Sequence, residues 1–177
     1  MTELHRPFAL GFIGRSGSGK TTLAEKVLAE LVRRGWKVAA LKDAHHGIDL
    51  DRPGKDTWRY REAGASRVIL RTAERWAVMA ETPEKPASVD ELIGLAGDAD
   101  ILLIEGFKHE GSFPRIEVRR REAAAEPPLI SCGGLDAPPV AVATDFDEPE
   151  FKGIPQLSVN DPQAVADFIE ALIERSR

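Results

Sequence analysis

The sequence holds a single cysteine, Cys132, so it can form no internal disulfide and complete no cysteine-based zinc site. That scarcity suits a reducing compartment. Long hydrophobic runs are missing too: nothing approaches the roughly 18 consecutive apolar residues of a membrane span. The N-terminal residues lack the basic region and long apolar run of a signal peptide, so the chain is expected to be soluble, unprocessed and cytoplasmic. Positive charge is not in excess either. Lys plus Arg number 24 against 29 Asp plus Glu, a net charge of −5. Such a balance argues against a nucleic-acid wrapper or a polybasic membrane binder. There is no internal repeat and no low-complexity segment. The nearest composition shift is residues 122–139, where Pro, Gly and Ala gather, and this reads as a loop or loosely packed excursion.

What is present is enough to fold. Hydrophobic residues make up 42% and charged residues 30%, which allows a buried core, and 177 residues suit one domain spanning 1–177. Residues 8–13 form a short apolar run bounded by Pro7 and read as a buried strand. Leu23, Val27, Leu28 and Leu31 then recur at helical spacing up to Gly35, placed as a C-terminal cap. A second apolar run at 37–41 is followed by a polar segment at 43–55 and a helix over 57–63.

Residues 67–71 and 75–80 predict a β-hairpin turning at Thr72, Ala73 and Glu74. Ser88 and Glu91 suggest a capping box for a helix over 89–96. The continuous run ILLIE at 101–105 suits a strand covered on both faces. Residues 115–119 alternate, Ile116 and Val118 against Arg115, Glu117 and Arg119, which predicts a half-exposed strand. Residues 140–143 and 156–159 are further strands. Asp161 opens a last helix whose Val165, Phe168, Ile169, Leu172 and Ile173 share a face. The alternation predicts an α/β fold with a mostly parallel central sheet. The 67–80 hairpin and 115–119 are expected as antiparallel additions.

The strongest signal is GRSGSGKT at 14–21, which satisfies the phosphate-loop pattern G-x-x-x-x-G-K-[ST] between a predicted strand and a predicted helix. Glycines let consecutive N–H groups point at phosphate oxygens, and the following helix adds its positive end. Lys20 would reach the β- and γ-phosphates, and the Thr21 hydroxyl would ligate Mg²⁺. Glu105 closes the ILLIE run at the carboxyl edge, where ligands of open α/β sheets bind, and is the candidate second metal-linked acid. Asp43, after the second strand, is either a loop acid or a residue that binds the metal or positions a water. His45 and His46 fit a polar loop or phosphate contact better than a metal site, because adjacent histidines on a strand do not face one ion.

The segments HHGIDLDRPGKDTWRYREAGA at 45–65, RWAVMAETP at 75–83 and ILLIEGFKHE at 101–110, placed after this loop, resemble the molybdopterin-guanine dinucleotide biosynthesis protein B family, MobB. The resemblance runs from Phe8 to about Glu170 and is weakest across 121–139. It implies a three-layer P-loop NTPase fold, a dimer, GTP binding with weak Mg²⁺-dependent hydrolysis, and service as an adaptor. The partner implied is a MobA-type guanylyltransferase that attaches GMP to molybdopterin, with molybdopterin itself a candidate ligand. By residue match, Gly14, Ser16, Gly17, Ser18, Gly19, Lys20, Thr21 and Thr22 resemble the GTP phosphate loop, and Glu105 with Gly106 the second acidic motif. Lys42-Asp43-Ala44 departs from the Lys-His start of many members.

No Asn-Lys-x-Asp tetrad is present. Guanine offers adjacent N1–H and N2–H donors, so a carboxylate is its natural reader, and Asp145 is the best-placed acid, with Asp147 behind it. The alternative is a turn-forming Asp. Asn160 and Asp161 read as a helix cap. Arg59, Arg61, Arg67, Arg71 and Arg75, and Arg115, Arg119, Arg120 and Arg121, are two clusters read as solvated faces, or else as an anion groove or docking surface. Trp58, Trp76 and Phe107 default to core packing. A P-loop small-molecule kinase using ATP or GTP, with Asp43 as base, is the competing function.

Overall fold

The computed structural model describes residues 6–44, 51–110, 113–133 and 135–176, so His45 and His46 lie outside the described residues. The chain divides into two compact units, one made of residues 1–43 and 89–177, the other of residues 44–88.

Among the described residues the larger unit is built on six strands. They are β1 (Phe8–Ile13), β2 (Val38–Lys42), β5 (Ile101–Glu105), β6 (Arg115–Val118), β7 (Ala141–Thr144) and β8 (Gln156–Ser158), in the spatial order β2-β5-β1-β6-β7-β8. Every pairing is parallel. The order reverses about β1, which creates a crevice at the carboxyl ends of the strands. Helices α1 (Lys20–Arg33) and α4 (Pro162–Ser176) cover one face, and the short helix α3 (Val89–Ile93) contributes to the other. No helix among the described residues is long and apolar enough to cross a membrane.

Period-two alternation along the central strands feeds both faces. Leu10, Phe12, Ile101 and Leu103 pack with Leu23, Val27 and Leu31 of α1 and Val165, Ala166, Ile169 and Ile173 of α4. Leu102 and Ile104 turn the other way, onto Val89, Ile93 and Phe113. Each Val, Leu, Ile or Phe side chain so removed from water contributes about 1.5 to 3 kcal/mol. The two helices are also tied by charge. Glu30 accepts from Arg33 and Arg34, and Arg34 reaches Asp167 at 2.7 Å and Glu170 at 2.5 Å on α4. The Arg33 and Arg34 hydrogen bonds hold the Glu30 carboxyl down at about 2. Asp161 caps α4 by accepting from the Ala164 amide at 3.0 Å. Asn160 instead accepts from Arg120.

Residues 115–119 depart from expectation. β6 is an interior parallel strand between β1 and β7, neither antiparallel nor half-exposed. The alternation itself is as predicted, with Ile116 and Val118 in the core beneath α1 and α4. The opposite face is covered as well, so Arg115, Glu117 and Arg119 are buried rather than solvated. Partners make that burial tolerable. Glu117 Oε1 accepts from the Leu129 amide at 2.8 Å, Arg119 Nε donates to Glu148 at 2.5 Å, and Arg119 Nη2 donates to the Glu126 carbonyl at 3.1 Å. Burial raises the Glu117 carboxyl above its usual range, against the Leu129 amide and Arg119, which lower it. These contacts pin the 122–139 excursion to the sheet through two short 3-10 turns, Arg121–Ala123 and Leu129–Cys132.

The smaller unit holds α2 (Asp56–Glu62) and the antiparallel pair β3 (Arg67–Arg71) and β4 (Trp76–Ala80), as the hairpin pattern predicts. Thr72 closes the turn, its amide donating to the Arg75 carbonyl at 2.8 Å. Trp76 is not a core residue. It is 70% exposed, on the same hairpin face as Ile69 and Val78.

Candidate functional site

The glycine loop follows β1 directly and hands the chain to α1. Gly14 is required by space as well as by backbone angle, and Gly19 by backbone angle. At Gly14 (φ 150°) a Cβ would lie 2.5 Å from the Val118 carbonyl oxygen, so the loop could not pass β6. At Gly19 (φ 85°) it would lie 2.8 Å from Arg120 Nε. Gly19 caps α1 with no side-chain hydrogen bond, and the first turn carries no acid, which leaves its N–H groups facing outward for an anion. Ser16 and Thr22 are exposed, whereas Ser18 is buried and its hydroxyl has no hydrogen-bond partner among the described residues.

Lys20 folds back over the loop, its Nζ donating to the carbonyls of Gly14 (3.1 Å) and Arg15 (2.8 Å). Burial lowers its pKa below the ordinary lysine value, opposed by Glu105 and assisted by Lys42 and Lys108. Thr21, in the first turn of α1, donates to Glu105 Oε1 at 2.8 Å. Lys42 Nζ reaches the same oxygen at 2.7 Å. Register explains the meeting: Phe12, Glu105 and Lys42 are lateral neighbours on three adjacent strands. Burial raises the Glu105 carboxyl, but the hydrogen bonds from Lys42 and Thr21 outweigh it and hold the group below its usual range.

Asp43 and Gly106 pack against each other just beyond that edge. The Asp43 amide donates to the Glu105 carbonyl (2.9 Å) and the Gly106 amide to the Phe12 carbonyl (3.2 Å). A Cβ on Gly106 (φ 106°) would lie 2.7 Å from Asp43 Cβ. Asp145 follows β7 along the same edge, on the other side of β1. Its carboxylate accepts from the Arg121 amide at 2.9 Å and from Arg120 Nη1 at 3.3 Å. Arg120, lying against Gly19, also donates to Asn160 at 3.2 Å and so ties the loop region to the ends of β7 and β8. Asp147 is exposed.

Lys20, Thr21, Asp43, Glu105 and Gly106 therefore converge, while Asp145 stands apart beside Arg120. The sequence reading gave no task to Lys42 or to Arg15, which donates to Cys132 Sγ at 3.0 Å, and held Arg120 only as one member of an arginine cluster. Lys42 carried one usable signal: like Glu105, it ends a strand at the carboxyl edge, with opposite charge. The Thr21 hydroxyl and Glu105 carboxylate are hard oxygen donors at contact distance. That set suits Mg²⁺, which takes one or two protein oxygens and completes its shell with phosphate and water. Among the described residues no group of three or more His, Cys, Asp or Glu would hold a metal without such help.

The family model for molybdopterin guanine dinucleotide synthesis protein B matches residues 9–145. A Haemophilus influenzae protein described as a molybdopterin-guanine dinucleotide biosynthesis adapter protein is 44% identical over 163 residues, 91% of this chain and 86% of its own. The Escherichia coli protein of the same description is 36% identical over 163 residues, 90% of each chain. Among solved structures, the crystal structure of Bacillus subtilis MobB matches with a TM-score of 0.70 at 25% identity, covering 92% of this chain and 96% of that one.

Proposed function

The chain belongs to the molybdopterin guanine dinucleotide synthesis protein B family, whose model matches residues 9–145, and from that premise we propose that it is a GTP-binding adapter in molybdenum cofactor biosynthesis. In this reading it hydrolyses GTP weakly and assists a separate MobA-type guanylyltransferase that attaches GMP to molybdopterin. Relatives described as molybdopterin-guanine dinucleotide biosynthesis adapter proteins support the pathway and the adapter role. The observation that carries the nucleotide claim is the convergence of Lys20, Thr21 and Glu105 on a helix N-terminus left open for an anion.

Each residue has a task here. Amides of residues 14–22 and Lys20 hold the phosphates, and Thr21 with Glu105 holds Mg²⁺. The ion, when bound, neutralises phosphate charge. Asp43, its backbone fixed to Glu105, orients a water at the terminal phosphate, and Gly106 leaves the room it occupies. Asp145 reads guanine, because adenine presents an acceptor at N1 where guanine has a donor; the mismatch costs about 1 to 3 kcal/mol. Its tie to Arg120 orients the carboxylate at the strand edge. The protein acts in the cytoplasm as a homodimer joined through the 67–80 hairpin, whose Ile69 and Trp76 are 71% and 70% exposed. β6, interior to the sheet, offers no edge for this purpose.

The test is a titration of GTP and ATP, with and without Mg²⁺, for the wild type and Asp145→Ala, followed by addition of the protein to a reconstituted guanylylation assay. GTP should bind at least roughly tenfold more tightly than ATP, and Asp145→Ala should erase the difference. Equal binding of the two nucleotides, with phosphoryl transfer to an added small acceptor, would replace this reading with a kinase.

A further inference from the structure

The contact between Lys42 and Glu105 stands in the place where a divalent cation is needed. Lys42 and Glu105 are register partners at the ends of β2 and β5, and in parallel strands such partners project to the same side of the sheet. Both the Lys42 ammonium and the Thr21 hydroxyl engage one oxygen, Glu105 Oε1, at 2.7 and 2.8 Å. A divalent ion held between hydroxyl and carboxylate would compete for that oxygen, and the Thr21 hydroxyl would turn its lone pair to the ion in place of its proton. An ammonium and a doubly charged ion cannot sit in contact on one oxygen without strong repulsion.

The two side chains differ in freedom, which decides the one that yields. The Glu105 side chain is 14% exposed and held by Thr21, whereas the Lys42 side chain is 56% exposed on a flexible four-carbon stem. We propose that Lys42 is a monovalent placeholder for the divalent ion: it neutralises Glu105 in the nucleotide-free chain, and arrival of the metal–triphosphate complex releases its ammonium to the terminal phosphate. Lys42 thereby joins Lys20 as a second cation on that phosphate. The exchange makes metal and triphosphate cooperative, since metal alone displaces the ammonium with no new partner for it, while metal with a triphosphate supplies one.

This inference rests on the reading of the loop as a Mg²⁺–nucleotide site, and the experiment separates the two. Mn²⁺, which takes the same oxygen donors and gives an electron paramagnetic resonance signal, is titrated into the full chain without nucleotide. GTP and GDP are titrated calorimetrically at saturating Mg²⁺. The proteins are the wild type, Lys42→Met and Lys42→Arg, each checked for folding by circular dichroism. In Lys42→Met, nucleotide-free Mn²⁺ affinity should rise about fivefold while GTP affinity falls about tenfold and GDP affinity falls less. A residue that merely supports the edge would weaken metal and nucleotide alike. Lys42→Arg, which keeps the charge, should stay within about twofold of the wild type in Mn²⁺ affinity. If Lys42→Met fails to fold, Lys42→Gln takes its place with the same expectations. Unchanged or weaker Mn²⁺ binding in the uncharged variant overturns the placeholder while leaving the nucleotide site standing. A wild type that binds no triphosphate overturns both.

Discussion

Removing the Lys20 ammonium tests the phosphate loop at its centre. In this structure Nζ is bonded to two loop carbonyls, Gly14 at 3.1 Å and Arg15 at 2.8 Å, and is half-buried. Nucleotide binding therefore exchanges bonds instead of adding them. The ammonium makes its bonds to carbonyls and to phosphate oxygens charge-assisted alike, about 1.5 to 3 kcal/mol each, so to first order they cancel. What the phosphate adds is ion–ion attraction, about 1 kcal/mol in water to about 4 kcal/mol at a protein surface for unit charges about 4 Å apart. Lys20 is half-buried against the loop itself, so little of that gain is spent on burying it. Lys20→Ala should weaken Mg²⁺–GTP binding at least roughly tenfold, corresponding to about 1.4 kcal/mol. Isothermal titration calorimetry reads it directly, and a parallel thermal melt isolates the smaller stability loss from the two carbonyl bonds. An affinity within about twofold of the wild type would refute the assignment of residues 14–21 as a phosphate loop.

Two stability predictions follow from buried charge. Arg119→Met should cost about 3 to 5 kcal/mol, because it leaves the buried Glu148 and Glu117 carboxylates facing each other without their cation. In a chain of this size that is a fall in Tm of roughly 6 to 20 °C by calorimetry, and adding Glu148→Gln should restore part of it; a loss below about 1 kcal/mol would mean water reaches the cluster. Glu30 gives a pH signature. Its folded pKa of about 2 lies below the unfolded carboxyl value of about 4.5, so its contribution is complete above the unfolded value and disappears as pH falls from there towards 2. Glu30→Gln should flatten the dependence of Tm on pH across that window and leave it unchanged near neutrality. An identical slope in both proteins would show that Glu30 is paired in the unfolded chain too.

Much of the machinery was legible in local pattern. The strand–loop–helix order of residues 8–33 follows from an apolar run, glycines and a 3.6-residue period, each requiring only neighbours in sequence. β5 as a doubly covered strand followed from four apolar residues in a row before Glu105, and the hairpin from two β-favouring runs about a short turn. Those local features suffice to put Lys20, Thr21 and Glu105 at one edge. The resemblance across 45–65, 75–83 and 101–110 pointed to the same family as the relatives.

Alternation in 115–119 states which side chains share a face but not what lies over that face, and there the expectation failed. The polar side of β6 is sealed by residues more distant in sequence, with Leu129 supplying an amide to Glu117 and Glu148 supplying a counter-ion to Arg119. Trp76 failed in the reverse sense, since its aromatic ring suggested a core that the hairpin does not provide. The same limit applies to the site. Lys42 and Glu105 are 63 positions apart and meet because β2 and β5 are in register, and Arg120 meets Asp145 and Asn160 because β6, β7 and β8 are laterally adjacent. Sequence period is a property of one element and determined the elements, their buried faces and the phosphate loop. Register and layer order are properties of several elements at once, so only the tertiary structure decided which charges meet at the carboxyl edge and which are buried beneath the 122–139 excursion.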